Sequence, residues 1–216
     1  MLKTWHDDTA INYNYLIEDG FICPATCNDI CNTITDQSFD WHYTRAVDYE
    51  LLDHDKHDED NWQFVHVLDN FGNRTPGSEK FQPLVDRIDP EIIYRLKINF
   101  CPRHNIIKPY GFHVDTKLTP GLTSILYLND CNGKTLLRCP DGVHEVESVA
   151  GRLLTFDNRI FHTGTTATDN HRFVINFNYY KHDTRSPSKS SLSKTTTQQK
   201  VWRSLVDSSP KQIQLH

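Results

Sequence analysis

The sequence predicts a mainly β fold with N-terminal helices and a jelly-roll core, the arrangement also called a double-stranded β-helix. Three observations support this. Eight short apolar or alternating stretches follow residue 91, turns rich in Gly, Pro, Asn and Asp separate them, and helix-type patterns are confined to the region before them. The predicted strands cover residues 92–99, 112–116, 123–128, 135–138, 143–147, 152–156, 160–162 and 172–179, and the predicted helices residues 24–35 and 82–88.

The region before the barrel is predicted to be a helical layer with one added strand. Its first helix opens on Pro24, a favoured residue at a helix start. Cys23, Cys27 and Cys31 recur every four residues along that helix. We interpret them as a face that packs on the sheet, because their spacing matches no common zinc pattern. The alternating stretch 62–67 is expected to extend one sheet.

The length of the chain, 216 residues, suits one domain with a sizeable core and a separate tail. We expect a single domain at 1–183, with the helical layer at about 11–91 and the barrel at about 92–180. Residues 184–216 form a basic tail rich in Ser, Thr and Lys, which is typical of a linker or a disordered arm. Within the tail, Trp202 offers an apolar contact for docking back on the domain or for binding a partner.

Charge divides the chain into an acidic body and a basic tail. The formal net charge is −5, of which residues 181–216 contribute +5 and residues 1–180 therefore −10. An acidic body is a poor match for nucleic acid, since duplex binding depends on clustered cationic contacts. The most acidic stretch, residues 48–60, is predicted to be a solvated loop, with a second cation site or a substrate-steering lid as alternatives.

No segment of the sequence indicates a membrane span or an export signal. The chain has no apolar run approaching about 18 residues, and its N-terminus lacks the apolar core of a signal peptide. Its 6 cysteines are therefore expected to be thiols rather than disulfides. Together these features predict a cytoplasmic protein with no membrane partner.

A short motif and a distant histidine suggest a metal centre. His113 and Asp115 are two positions apart, so on an extended segment both side chains point to the same face and can converge on one ion. His162 ends a later apolar stretch and offers a third ligand. Two imidazoles and one carboxylate are the facial set of non-haem Fe(II) oxygenases, which leaves the opposite positions of the metal open.

Arg172 adds an anion site to this set. It begins the alternating stretch 172–180, in which one face is almost wholly apolar and the other carries the arginine. A guanidinium that points into a barrel needs a carboxylate partner, because an unpaired buried charge is strongly unfavourable. A bound dicarboxylic acid would supply that partner through a bidentate contact.

The ordered set of these four residues resembles the site of the Fe(II)- and 2-oxoglutarate-dependent oxygenases. The likeness is to the prolyl-4-hydroxylase-like branch, including phage-encoded members of unknown substrate, and it favours a viral enzyme that acts inside a host cell. Asn132 and Gly133 depart from the pair of glycines that many relatives have, and an arginine at 172 departs from the lysine of the collagen-modifying group. The likeness covers roughly residues 11–180 and includes the stretches 17–27, 123–129, 133–137 and 151–157.

The resemblance implies the cofactors and the residues that hold them. Fe(II) would be bound by His113, Asp115 and His162, which form both the metal site and the catalytic set. The cosubstrate 2-oxoglutarate would chelate the iron through its keto-acid end, while Arg172 holds its far carboxylate. O2 would be the oxidant, and ascorbate is expected to support activity.

Two further residues are candidates for binding the cosubstrate. The resemblance implies that the hydroxyl of Tyr127 donates a hydrogen bond to the far carboxylate, with a core aromatic as the alternative interpretation. Asn99 shares a strand face with Arg95 and Lys97 by alternation, which makes it a candidate for touching cosubstrate or substrate. A structural amide is the alternative for Asn99.

The function implied is hydroxylation of a prolyl or other protein side chain, or of a small molecule, with release of succinate and CO2. A nucleobase-oxidising dioxygenase is one alternative, but it needs a basic channel on the body. A catalytically silent jelly-roll binding module is the other, and it does not need all four polar residues. The sequence does not indicate which substrate is oxidised or the oligomeric state.

Overall fold

The structure is a computed structural model that describes residues 11–45, 61–118 and 120–182. Within these ranges the chain forms two antiparallel sheets and two α-helices. The acidic stretch 48–60 and the tail 184–216 with Trp202 lie outside the described residues. The strands are β1 (Tyr15–Glu18), β2 (His42–Thr44), β3 (Gln63–Asn70), β4 (Asn73–Arg74), β5 (Ile92–Cys101), β6 (Leu122–Tyr127), β7 (Cys131–Cys139), β8 (Gly142–Ser148), β9 (Leu153–Asp157), β10 (His162–Gly164) and β11 (Arg172–Tyr180).

The strands pair in the order expected of a jelly roll. The larger sheet runs β1-β9-β6-β11-β5-β3-β2, with β4 paired to β3, and the smaller sheet runs β10-β7-β8. Strands distant in sequence lie side by side, such as β5 and β11, so the core is built from long-range pairing. The predicted mainly β fold with a jelly-roll core is confirmed.

Two apolar layers hold the sheets and helices together. One layer lies between the sheets, where Val174 and Tyr127 of the larger sheet meet Leu137 and Val146 of the smaller one. The other joins the larger sheet to the helices. A fully buried side chain of this size contributes about 1.5–3 kcal/mol relative to an exposed one, so both layers are needed to hold the fold.

Strand β11 shows how alternation sorts its residues between these two environments. The apolar side chains Phe173, Ile175, Phe177 and Tyr179 belong to the layer shared with the helices. The residues between them, which begin with Arg172, face the space between the sheets. In an ordinary antiparallel strand, one face is buried and the other is exposed to solvent. Both faces of β11 are buried, and its polar face points into the space between the sheets.

The two helices cover one face of the larger sheet. Helix α1 (Pro24–Ile34) has its proline in the first turn, and α2 (Gln82–Ile88) follows a single 3-10 turn, Ser78–Phe81. Cys27 is buried, and the thiol of Cys31 contacts the carbonyl of Leu128 at 3.7 Å. Cys27 and Cys31 therefore pack on the sheet, as predicted, but Cys23 precedes the helix and is exposed, so the prediction is wrong for that residue. No helix of the described residues is long and apolar enough to cross a membrane.

One predicted strand is wrong. Residues 112–116 do not form a strand, and only His113 makes a bridge, to His162. The ladder does not extend because the carbonyl of Asp115 accepts from the side chain of Arg95 at 3.3 Å instead of from a neighbouring backbone. The strand expected at 160–162 also begins later, at His162, because the amide of Ile160 closes a turn onto Asp157.

Candidate metal centre and its pocket

Three side chains converge between the two sheets. The amide of His113 donates to the carbonyl of His162 at 3.0 Å, and the amide of His162 donates back at 2.9 Å, which holds the two segments side by side. The Nε2 atoms of His113 and His162 lie 4.0 and 3.5 Å from the two carboxylate oxygens of Asp115. All three offer a ligand atom within 4.8 Å of the others. The structure thus brings together the three residues that the sequence suggests as metal ligands.

The hydrogen bonds of the two imidazoles set which nitrogen faces Asp115. Nδ1 of His113 lies 3.1 Å from the carbonyl of Gly111, and Nδ1 of His162 lies 3.1 Å from the carbonyl of Ile160. A carbonyl only accepts, so each Nδ1 carries the proton and each Nε2 presents a lone pair. Three acceptors that point at one another repel unless a cation lies between them. The donor set therefore fits a metal ion, and the Nδ1 contacts are the outer-shell bonds that metal-binding histidines make.

Asp115 is held from the larger sheet by two side chains. Nη2 of Arg95 on β5 donates to Oδ1 at 2.8 Å, and Nδ2 of Asn178 on β11 donates to Oδ2 at 3.2 Å. Burial raises the pKa of Asp115, but the positive charges around it, those of Lys97 and Arg95 among them, outweigh burial and hold the pKa well below its usual range. The carboxylate is therefore ionised and fixed in direction, which a metal ligand requires.

Arg172 lies at the other end of the same pocket. Its Nε donates to the hydroxyl of Ser148 at 2.9 Å and its Nη2 to the hydroxyl of Thr135 at 2.8 Å. Only 4% of the residue is exposed, yet among the described residues no carboxylate pairs with it. A Cβ added to Gly164 would lie 3.2 Å from its Nη1, so the glycine leaves room beside the guanidinium. A buried, oriented cation without a carboxylate partner makes this end of the pocket a candidate anion site.

Tyr127 lies beneath the guanidinium. Its hydroxyl donates to Thr135 at 2.7 Å, and the Cζ atom of Arg172 lies 5.5 Å from the centre of its ring. Burial raises the pKa of Tyr127, although the charge of Arg172 opposes it, so the phenol stays protonated and able to donate. The predicted hydrogen bond from Tyr127 to a bound acid stays a prediction, because the hydroxyl donates to Thr135 in this structure.

Neighbouring strands form the floor between the metal centre and Arg172. Lys97 and Asn99 of β5 line it together with Val174 and Asn176 of β11. Alternation places Asn99 on the pocket side of β5, as the sequence predicted, and its role in binding stays a prediction. Sequence reasoning missed Arg95 and Asn178 as partners of Asp115, because nothing in their spacing links them to that residue.

A second cluster of metal-type side chains lies at the turn between β7 and β8. It consists of Cys139, Asp141 and His144, with ligand atoms within 4.8 Å of one another. Here Nε2 of His144 already lies 3.0 Å from Oδ1 of Asp141, whose side chain is 73% exposed. This contact accounts for the Asp141 carboxylate and for Nε2 of His144, so the carboxylate here does not depend on an ion for a partner.

Comparison with known proteins identifies the fold. No protein-family model and no curated protein matches the chain. Solved structures do match. A 2OG-Fe(II) oxygenase family oxidoreductase from Burkholderia pseudomallei has a TM-score of 0.58 and 15% identity, over 78% of this chain and 86% of that one. A Trichoplax adhaerens prolyl hydroxylase, solved with a hypoxia inducible factor peptide, has a TM-score of 0.58 and 16% identity, over 77% and 83%.

The same fold is found in a bacterial protein solved with a metal and the keto acid. HygX from Streptomyces hygroscopicus, with nickel and 2-oxoglutarate bound, has a TM-score of 0.52 and 10% identity, over 77% of this chain and 82% of that one. The three structures are 10%, 15% and 16% identical to this chain, so the likeness is one of fold. The chain therefore has the fold of the Fe(II)- and 2-oxoglutarate-dependent oxygenases.

Proposed function

We propose that the protein is an Fe(II)- and 2-oxoglutarate-dependent dioxygenase that hydroxylates its substrate and releases succinate and CO2. One observation carries the proposal. A triad of inward-facing acceptors and a buried guanidinium without a carboxylate partner lie at two ends of one pocket, at His113, Asp115, His162 and Arg172. A metal ion satisfies the first end, and a carboxylate satisfies the second.

The donor set suits iron of this class. Two histidines and one carboxylate on one face of the ion leave further positions for a chelating acid and for O2. When bound, iron supplies the oxidation chemistry by which O2, 2-oxoglutarate and a substrate C–H group give succinate, CO2 and the hydroxylated product. The structure contributes fixed ligands, because Arg95 and Asn178 hold the Asp115 carboxylate from the sheet.

The other end of the pocket suits the far carboxylate of 2-oxoglutarate. Thr135 and Ser148 fix the plane of the Arg172 guanidinium, and the remaining N–H groups are available for a bidentate contact. Binding there orients the acid along the floor toward the triad. Ile125 and Val174 give the pocket an apolar part of its wall, and charged contacts beside an apolar wall are stronger than in water.

Anaerobic titration with Fe(II) and 2-oxoglutarate tests the proposal. We expect the weak visible charge-transfer band of an iron-bound keto acid in the wild-type protein and its loss in His113→Ala. Lys134→Met is the matched control, because Lys134 is a surface residue on β7 that pairs with Glu145. Absence of the band in the wild-type protein would overturn the proposal. Metal-independent binding of the acid would indicate the silent binding module instead.

A further inference from the structure

Three side chains of the β7–β8 hairpin have functional groups that the proposed function does not use. Cys139, the last residue of β7, is a free and buried thiol. Asp141 lies in the turn and His144 near the start of β8, and one ligand atom of each residue lies within 4.8 Å of the others. The hairpin therefore brings a sulfur, an oxygen and a nitrogen donor together.

The strand ladder fixes the directions of two of these side chains. Cys139 pairs with Gly142, so the two turn residues 140–141 close the hairpin directly beside the cysteine. Leu137 pairs with His144, and residues two apart on a strand point to the same face of a sheet. Cys139 and His144 therefore share a face, and binding of an ion by both requires little additional ordering of the chain.

The protein satisfies only one side of the His144 imidazole. Nε2 lies 3.0 Å from Oδ1 of Asp141, but Nδ1 is buried and has no hydrogen-bond partner in the part of the chain that the structure describes. The ring of Tyr15 on β1 packs edge-on against the imidazole, with the ring centres 5.7 Å apart, and holds its plane. A buried nitrogen without a partner is costly, so the ring calls for a group from outside the chain.

This cluster is separate from the first metal centre. Leu137 of β7 lies between the two, paired with His162 on one side and with His144 on the other, and its side chain is fully buried. Neighbouring strands are about 4.7–4.9 Å apart, so the backbones that carry the two histidines are roughly 10 Å apart. The donors differ as well, because the first centre has only nitrogen and oxygen, whereas Cys139 adds sulfur.

We propose that Cys139, Asp141 and His144 form a second metal site, which binds a thiophilic divalent ion of the Zn²⁺ type. A thiolate favours such an ion over those that prefer oxygen ligands, and three protein ligands leave one tetrahedral position for water. The ion enters from the side of Asp141, whose side chain is 73% exposed. On binding it replaces the proton of the Cys139 thiol, which is released to solvent. The site does not rest on the proposed function.

Anaerobic titration of the full-length chain with Co(II) tests this site. A thiolate ligand gives Co(II) a strong near-ultraviolet charge-transfer band, which a site of nitrogen and oxygen ligands does not give. We expect the band in the wild-type protein and in His113→Ala, and its loss in Cys139→Ser. Cys131→Ser is the matched control and should keep the band, because Cys131 belongs to the same strand but not to the cluster. An excess of Zn²⁺ should remove the band by displacing Co(II).

The other two ligands give independent variants. His144→Ala and Asp141→Asn should each raise the Kd of Co(II) at this site by roughly tenfold or more, because even the outer-shell partners of a metal contribute that much. Absence of the band in the wild-type protein, its persistence in Cys139→Ser, or an unchanged Kd in both of the other variants would overturn the site. Loss of the band in His113→Ala would overturn its independence from the first centre. Circular dichroism of the metal-free proteins shows that each variant is folded.

Discussion

Removal of the Lys97 charge should stabilise the metal-free protein, because burial disfavours the charged form of this side chain. Burial, opposed by the charge of Asp115 and assisted by that of Arg95, lowers the pKa of Lys97 from 10.5 to about 8. At about 1.36 kcal/mol per pKa unit, this corresponds to at most roughly 3.4 kcal/mol of unfavourable free energy for the charged form. Lys97 keeps partial contact with solvent, and screening by that solvent reduces the expected gain in Lys97→Met to about 1–2 kcal/mol.

The direction of the pKa shift determines how the free energy of unfolding changes with pH. The folded-state pKa lies below the unfolded value, so between pH 8 and 10.5 the unfolded chain binds more protons at Lys97 than the folded protein does. The wild-type protein therefore carries the full penalty below pH 8 and loses it as the pH rises to 10.5. The stability advantage of Lys97→Met should be greatest near neutral pH and vanish above that window.

Urea unfolding with a chelator present, followed by tryptophan fluorescence from pH 7 to 10.5, measures this difference. Lys134→Met serves as the control, because its ammonium is on the surface and its pKa is raised by Glu145 rather than lowered. For this control, the difference in free energy of unfolding between the wild-type protein and the variant should stay constant between pH 8 and 10.5. A Lys97→Met protein that is less stable than wild type at pH 7, or a difference independent of pH, would refute the reasoning.

Three further variants test the parts of the pocket separately. Arg172→Gln should raise the Kd of 2-oxoglutarate by roughly 10- to 100-fold while the Kd of Mn(II) stays within about threefold, since its charged hydrogen bonds go to the acid; equal losses would mean that Arg172 is structural. Asn178→Leu should lower Mn(II) affinity by roughly tenfold, because it removes a donor that fixes the Asp115 carboxylate at 3.2 Å, and unchanged affinity would contradict that role. Gly164→Ala should weaken the binding of 2-oxoglutarate severalfold, because its Cβ would lie 3.2 Å from Nη1 of Arg172 and displace the guanidinium. Calorimetry with the wild-type protein as reference measures the affinities for both the acid and the metal.

The elements that the sequence predicts well have a long, regular pattern. The helix at 82–88 and the strand at 172–179 match α2 and β11 almost residue for residue. The segment 112–116 has extended-type residues but no ladder, since the side chains of Arg95 and Asn178 replace a partner strand at Asp115. The local sequence does not show that side chains, rather than a neighbouring strand, will hold this segment. A strand at 112–116 could therefore not be distinguished from an extended loop.

The four main site residues could be selected from type and order, while the groups that support them could not. His113 and Asp115 share a face for reasons of backbone geometry alone, and the bridge to His162 follows from closure of the barrel. Arg95 reaches Asp115 across 20 positions of sequence, and Asn178 across 63. Those contacts depend on strand order and register, which single-sequence patterns leave open.

The alternating pattern of β5 and β11 contains a further sign of the pocket, which can be recognised once the register of the strands is known. In an ordinary two-sheet fold the polar face of a strand is turned to water and the apolar face to the partner sheet. In β5 the apolar Leu96 and Ile98 pack with the helices, so Arg95, Lys97 and Asn99 are turned toward the partner sheet. Strand β11 has the same inversion. The inward-facing cations of these two strands cannot satisfy one another, so the polar part of the space between the sheets agrees with the proposed metal and anion sites, while the rest of that space is the apolar layer.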